Sequence, residues 1–315
     1  MSTHERGSQG PKNSAPGLRL LPRRRGFGRL GPAVETRRAV VPEFAREPDR
    51  CPRERSARGG PTMSPTYSRY VAIGDSWTEG VGDPDPTRPN GVRGWADRVA
   101  ETLATRNEDF AYANLAIRGR TVAEILDEQL APALDLAPDL LTIQGAGNDL
   151  LHLSVDIDAL VESIDAAVAR AVDIGAQVVL FTHGVAASGP FRALRGRVAI
   201  FNELLREVVD ARAAVLVDNW RLREARDPRY WDRDRIHLSP LGHHLAARHV
   251  LETLDIEHDV EPPVMPEATV LAGKDRLLAD LEWLRTFAGP WVARRLTGRS
   301  LGDGISPKRP ELTPI

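Results

Sequence analysis

The chain has a single cysteine, Cys51, among its 315 residues, so no disulfide can close within it, and a reducing compartment suits it. It also lacks any apolar run of roughly 18 residues, which argues against a transmembrane helix. The arginine cluster Arg23, Arg24 and Arg25 is not followed by an apolar stretch of about 7–15 residues, so no secretory or twin-arginine signal is expected. Cytoplasmic is the default reading. The formal net charge is only −2, too little of either sign for bulk attraction to nucleic acid or anionic lipid. A Walker A loop, a G-x-G-x-x-G turn after the first strand, the G-x-S-x-G elbow and an H-E-x-x-H pair are absent. No internal repeat was found.

What remains is ordinary globular material, unevenly charged. Hydrophobic residues make up 42% and charged residues 27%, near the averages that allow a packed core. Residues 1–62 hold fourteen Lys and Arg against six Asp and Glu, so the rest of the chain carries close to ten net negative charges. That first stretch is rich in Arg, Pro and Gly and has no period of 2 or 3.6. It cannot bury enough surface to offset its ordering entropy, so a disordered Arg/Pro-rich tail is expected at 1–62. Weak contact with acidic partners is a minor reading of it. A start at Met63 is the alternative, and peptides from 1–62 in the native protein would rule it out.

From residue 69 the pattern changes. Short apolar runs stand at Tyr70–Ile73, Ala111–Leu115, Leu140–Gln144, Gln177–Thr182 and Ala214–Asp218. They are nearly continuous, as in parallel strands buried on both faces. Helical patterns separate them at about 94–106, 120–134, 156–174, 193–212 and 240–254. The alternation predicts an α/β fold, a flavodoxin-like three-layer α/β/α doubly wound parallel sheet with five core strands in the order 2-1-3-4-5. The folded domain spans 63–258. A C-terminal helical extension with a flexible end is expected at 259–315, with helices at about Gly273–Phe287 and Trp291–Leu296. Leu277, Leu278, Leu281, Trp283, Leu284 and Phe287 share an apolar face. Packing on its own domain is the leading reading of that face, ahead of a dimer or membrane-surface contact.

In open α/β sheets, ligands bind outside the carboxyl ends of the strands. Four polar features fall at that edge: Gly74-Asp75-Ser76 after strand one, Arg118-Gly119-Arg120 after strand two, Gly145-Ala146-Gly147-Asn148-Asp149 after strand three, and Asp234-Arg235-Ile236-His237 closing the 219–239 loop after strand five. A serine needs a base to attack at neutral pH, and the base needs a carboxylate to fix its tautomer. Ser76, His237 and Asp234 fill those roles. The Ser76 and Gly119 N–H groups and the Asn148 amide can supply donors to a developing oxyanion.

These four blocks together resemble the SGNH, or GDSL-type, hydrolase superfamily. Gly74-Asp75-Ser76-Trp77-Thr78-Glu79-Gly80 is similar to its first block, with Trp77 where Leu is usual. The stretch from Asn114 to Thr121 is similar to the second. Ala146-Gly147-Asn148-Asp149 is similar to the third, with Ala146 at the usual glycine position, and Asp234-x-x-His237 with Pro240 and Gly242 to the last. The resemblance spans about 69–255 and makes 63–258 the hydrolase domain. It implies a serine esterase with Ser76, His237 and Asp234 as triad, an oxyanion hole of Ser76, Gly119 and Asn148, an acyl-enzyme, and no metal or organic cofactor. The expected partner is a small-molecule ester, lipid-like or an acetylated carbohydrate, with no nucleic acid; the resemblance leaves the oligomeric state unassigned.

Blander readings compete at each residue. Ser76 alone would be a helix cap, and His237 a loop histidine. Asp75 and Asp149 read as loop-fixing acceptors, and Asp232 as the rival triad acid. His243, His244 and His249 lack metal-site spacing and read as packing residues. Asp83-Pro84-Asp85 sits in a Pro-rich loop, away from any strand end. Two rival functions stand beside hydrolysis: an acyltransferase using the same triad, and a catalytically silent binding module. The pocket walls are expected from 83–95, 183–192 and 219–233, with Trp95, Phe191, Trp220, Tyr230 and Trp231.

Overall fold

The computed structural model describes residues 65–184, 190–261, 263–267, 272–290 and 300–315. The expected tail at 1–62, Met63, the helix near Trp291–Leu296 and the Phe191 side chain lie outside them. Strands β1 (Arg69–Gly74), β2 (Ala111–Asn114), β3 (Leu140–Gln144), β4 (Gln177–Phe181), β5 (Val215–Val217) and β6 (Arg309–Thr313) form one sheet, ordered β5-β4-β3-β1-β2-β6. The first five pair in parallel and keep the expected 2-1-3-4-5 order. The helices are α1 (Ser76–Glu79), α2 (Gly94–Ala104), α3 (Val122–Glu128), α4 (Leu130–Asp135), α5 (Gly147–Leu150), α6 (Ile157–Asp173), α7 (Arg195–Arg212), α8 (Pro240–Thr253) and α9 (Gly273–Trp283).

Strand β1 shows why both faces are covered. Its side chains alternate across the pleat. Val71 and Ile73 enter a cluster with Val122, Ile125, Ile164, Val168 and Phe201 from α3, α6 and α7. Tyr70 and Ala72 enter another with Trp95, Val99, Leu103, Val250 and Leu251 from α2 and α8. Three layers result. Strand order reverses between β1 and β3, so the loops bearing Ser76 and Asn148 leave the sheet side by side at its switch point.

Several expectations need correction. The extension at 259–315 does not stay helical with a loose end: β6 pairs antiparallel with β2 at the sheet edge. Its sequence, Arg-Pro-Glu-Leu-Thr, has no apolar alternation, and its proline is tolerated because an edge strand leaves one side unpaired. The helix expected over 120–134 is two helices, because Pro132 has no N–H with which to continue the ladder. The 219–239 loop holds short 3-10 turns at Glu224–Arg226 and Pro228–Tyr230 and a bridge between Trp231 and Leu238. On α9 only Trp283 is buried, while Leu277, Leu278 and Leu281 of that helix, and Leu284 just after it, are each at least half exposed. Among the described residues, no helix is long and apolar enough to cross a membrane.

Candidate active site

The site starts where β1 runs out. Gly74 has φ +156, and a Cβ there would overlap the Gln144 carbonyl and the Thr78 side chain. Only glycine lets β1 and β3 close on α1 at this point. The Gln129 side chain fastens the same residue, accepting from the Gly74 N–H at 2.8 Å and donating to its carbonyl at 3.0 Å. Asp75 then caps α1 by accepting from the Trp77 N–H at 3.1 Å. Ser76 is therefore the first helical residue, with a main-chain N–H of the kind a helix leaves unpaired.

Across the edge, the Ser76 hydroxyl meets His237 Nε2 at 2.8 Å. His237 Nδ1 lies 2.5 Å from Asp234 Oδ2. With Nδ1–H donating to the carboxylate, Nε2 is left to accept the serine proton. The other Asp234 oxygen accepts from the Ile236 and His237 N–H groups, both at 2.9 Å. Burial pushes the Asp234 carboxyl up, but the His237 ring and these N–H donors outweigh it and hold it below the ordinary carboxylate range. The rival acid, Asp232, meets His237 through the backbone instead: its N–H donates to the His237 carbonyl at 2.8 Å.

Two tryptophans brace the histidine loop from opposite ends of the sequence. Trp77 donates from Nε1 to the Ile236 carbonyl at 3.2 Å, and Trp283 of α9 donates to the Asp234 carbonyl at 2.8 Å. Arg235, in the left-handed region at φ +62, pairs with Asp280 at 2.6 Å.

The remaining loops converge through polar bonds. Asn148 Nδ2 donates to the Arg120 carbonyl at 3.0 Å and toward Asp75 Oδ2 at 3.4 Å, joining the neighbours of Gly119 and Ser76. Asp149 accepts from the Val122 N–H at 3.0 Å, and Asp75 and Asp149 are thus both acceptors of main-chain N–H groups. Gly119 takes φ +82. Ala146, at the usual glycine position, still adopts φ +79, so the loop keeps its left-handed turn despite the methyl group. Asp75 is buried, which pushes its carboxyl up to about 7 even though the Trp77 N–H and His237 pull the other way.

Sequence reasoning missed three supports. Glu79, fully buried, holds the Arg118 N–H at 2.7 Å and its guanidinium at 2.6 Å, tying the first loop to the second. His183 places Nε2 2.5 Å from the Gly145 carbonyl, under the third loop; burial lowers its pKa, so the neutral ring donates that bond. Its position just after β4, on the shared edge, was the available signal. The third support, Trp283, lies far along the chain and gives no local signal.

The expected walls are partly wrong. Trp95 is 2% exposed and packs on Phe181 with ring centroids 5.0 Å apart, because the apolar face of α2 turns onto the sheet. Trp231 does reach the site, meeting Trp77 edge-on at 5.7 Å. Trp220 lies partly buried against the core beneath Arg195. His243 is buried with its pKa lowered to about 4 by that burial. It accepts from the Trp95 N–H at 3.1 Å and donates to the Val81 carbonyl at 3.1 Å. Among the described residues, no group of three or more His, Cys, Asp and Glu could hold a metal ion.

The sequence profile of the GDSL-like Lipase/Acylhydrolase family matches residues 72–245, more than half of the chain. The chain belongs to that family. Membership makes it a carboxylic ester hydrolase of the SGNH, or GDSL-type, class. Solved structures share the fold of this GDSL-family chain. One is a catalytic mutant of Axe2, an acetylxylan esterase from Geobacillus stearothermophilus, at 17% identity and a TM-score of 0.53, covering 62% of this chain and 98% of that one. TesA aligns at 21% identity and a TM-score of 0.50, with 59% and 97% covered. An alpha/beta hydrolase enzyme from the metagenome of Lake Arreo, Spain, aligns at 22% and 0.50, with 60% and 95% covered. A search of curated proteins gives no match.

Proposed function

We propose that this GDSL-family chain is a serine esterase in which Ser76 is the nucleophile, His237 the general base and Asp234 the acid of the triad. The observation that carries this reading is the unbroken bond path from the Ser76 hydroxyl through both His237 nitrogens to Asp234. In the first half-reaction His237 takes the Ser76 proton as Oγ attacks the ester carbonyl. The tetrahedral oxyanion is stabilised by the Ser76 and Gly119 N–H groups and the Asn148 amide. His237 then protonates the leaving alcohol, leaving an acyl-enzyme. Water, deprotonated by His237, attacks that acyl group, and Ser76 recovers its proton as the acid leaves. The scheme uses no metal or organic cofactor.

The substrate is proposed as a small carboxylic ester whose acyl or alcohol part lies against the edge-on pair Trp77 and Trp231. Ser76→Ala is the direct test, on hydrolysis of a short p-nitrophenyl ester. A loss of about 10⁴-fold or more in kcat is expected. Activity retained by the variant would remove Ser76 from the mechanism.

A further inference from the structure

The family-matched region ends at residue 245, yet residues far beyond it touch the loop that carries Gly119. We propose that residues 300–313 form a strap that positions this loop for catalysis, with Ser300 and Gly302 as positioning residues. The proposal rests on the oxyanion reading of Gly119 given above. A Cβ built on Gly119 would lie 2.5 Å from Ser300 Oγ and 3.4 Å from the Leu301 nitrogen, so the strap lies directly on the Gly119 main chain. Gly302 does the converse: a Cβ there would overlap the Arg118 carbonyl and crowd Ile117. One short segment thus packs against the peptide preceding Gly119 at two points.

The strap is itself fastened. Asp303 accepts from the Ser300 N–H at 2.9 Å, and Ser300 Oγ accepts from the Gly302 N–H at 3.2 Å, which closes the turn. Asp303 also lies 4.0 Å from Arg120. Asn90 bridges the Ser306 carbonyl at 3.0 Å and Glu79 at 3.1 Å, and Glu79 is the group that grips Arg118. Further along, Lys308 Nζ sits 2.9 Å from Asp97 Oδ1 with both side chains fully buried, and it donates to the Arg93 carbonyl at 2.6 Å. Strand β6 then pairs with β2, the strand from which the Gly119 loop departs.

The chemistry explains why such a strap matters. An oxyanion donor contributes in proportion to how well it is aimed before charge develops. Gly119, at φ +82, has wide conformational freedom of its own. Its N–H direction must therefore be set by what packs against it.

Gly302→Ala and Asp303→Ala, made in the full chain, test the strap by kcat, KM and melting temperature with p-nitrophenyl acetate. Gly302→Ala is expected to lower kcat at least about tenfold with KM within about threefold. Asp303→Ala removes an exposed side chain without strain, so it stays decisive if Gly302→Ala fails to fold. It is expected to lower kcat about threefold to tenfold at an unchanged melting temperature. Wild-type kcat in either folded variant, or a loss confined to KM, overturns the proposal. Ser76→Ala run alongside keeps the two readings apart. Activity in Ser76→Ala would sink the triad reading, whereas an inactive Ser76→Ala beside a fully active Gly302→Ala would sink the strap alone.

Discussion

Two aspartates flank the Ser76–His237 pair, one on the loop after β1 and one on the loop before α8, and their surroundings drive them in opposite directions. Burial raises Asp75 to about 7, and Asp149 and Glu79 add to the rise against the pull of the Trp77 N–H and His237. Burial raises Asp234 too, but the imidazole and two main-chain donors reverse the balance. Nearness to the serine does not decide which carboxylate can hold an imidazolium. Depth of burial, and how far donors and neighbouring charges offset it, does.

The largest test of that contrast is Asp234→Asn. It should cost about 10³-fold or more in kcat, because the amide no longer fixes the His237 tautomer. Asp75→Asn should cost far less, about tenfold, since it keeps an acceptor for Trp77 but sets a donor opposite Asn148. Steady-state kinetics on both variants would break the comparison if the order reversed.

Asp75→Asn also carries a pH signature. A folded pKa near 7 against an ordinary 3.8 means the native state binds a proton that the unfolded state gives up between those values. The wild type therefore loses this contribution as pH rises from about 4 to 7, and the loss is complete above 7. Denaturant melts should show Asp75→Asn gaining on the wild type across that window. Parallel curves would mean that Asp75 titrates normally.

The smallest effect belongs to Asp232→Ala. Because Asp232 meets His237 through its main-chain N–H, its side chain is dispensable, and kcat should stay within about twofold. A loss of Asp234→Asn size would move the triad acid.

Much of the site was legible because its chemistry is written in short blocks. The loop turn at Gly74, the Asp-x-x-His spacing and the placement of each block after a strand all follow from local pattern, while crossover rules only narrowed the parallel orders to a few, among which the flavodoxin-like one was expected. What escaped was held by distant partners. Strand β6 is polar and contains Pro310, so nothing in its own residues marks pairing with β2. Trp95 was read as a wall because it sits near a site loop, yet α2 turns its apolar face inward and buries it. Glu79 stands inside the first block, but its partners Arg118, 39 positions away, and Asn90 make it structural. The α9 leucines read as a packing face, and the structure uses only Trp283 of that helix to reach Asp234.

Covalent acylation of Ser76 through His237 is probed most directly by mass spectrometry of the protein treated with a fluorophosphonate. One adduct is expected, on the peptide containing Ser76, absent from Ser76→Ala and strongly slowed in His237→Ala. An adduct mapped to another residue, or undiminished in Ser76→Ala, would contradict it.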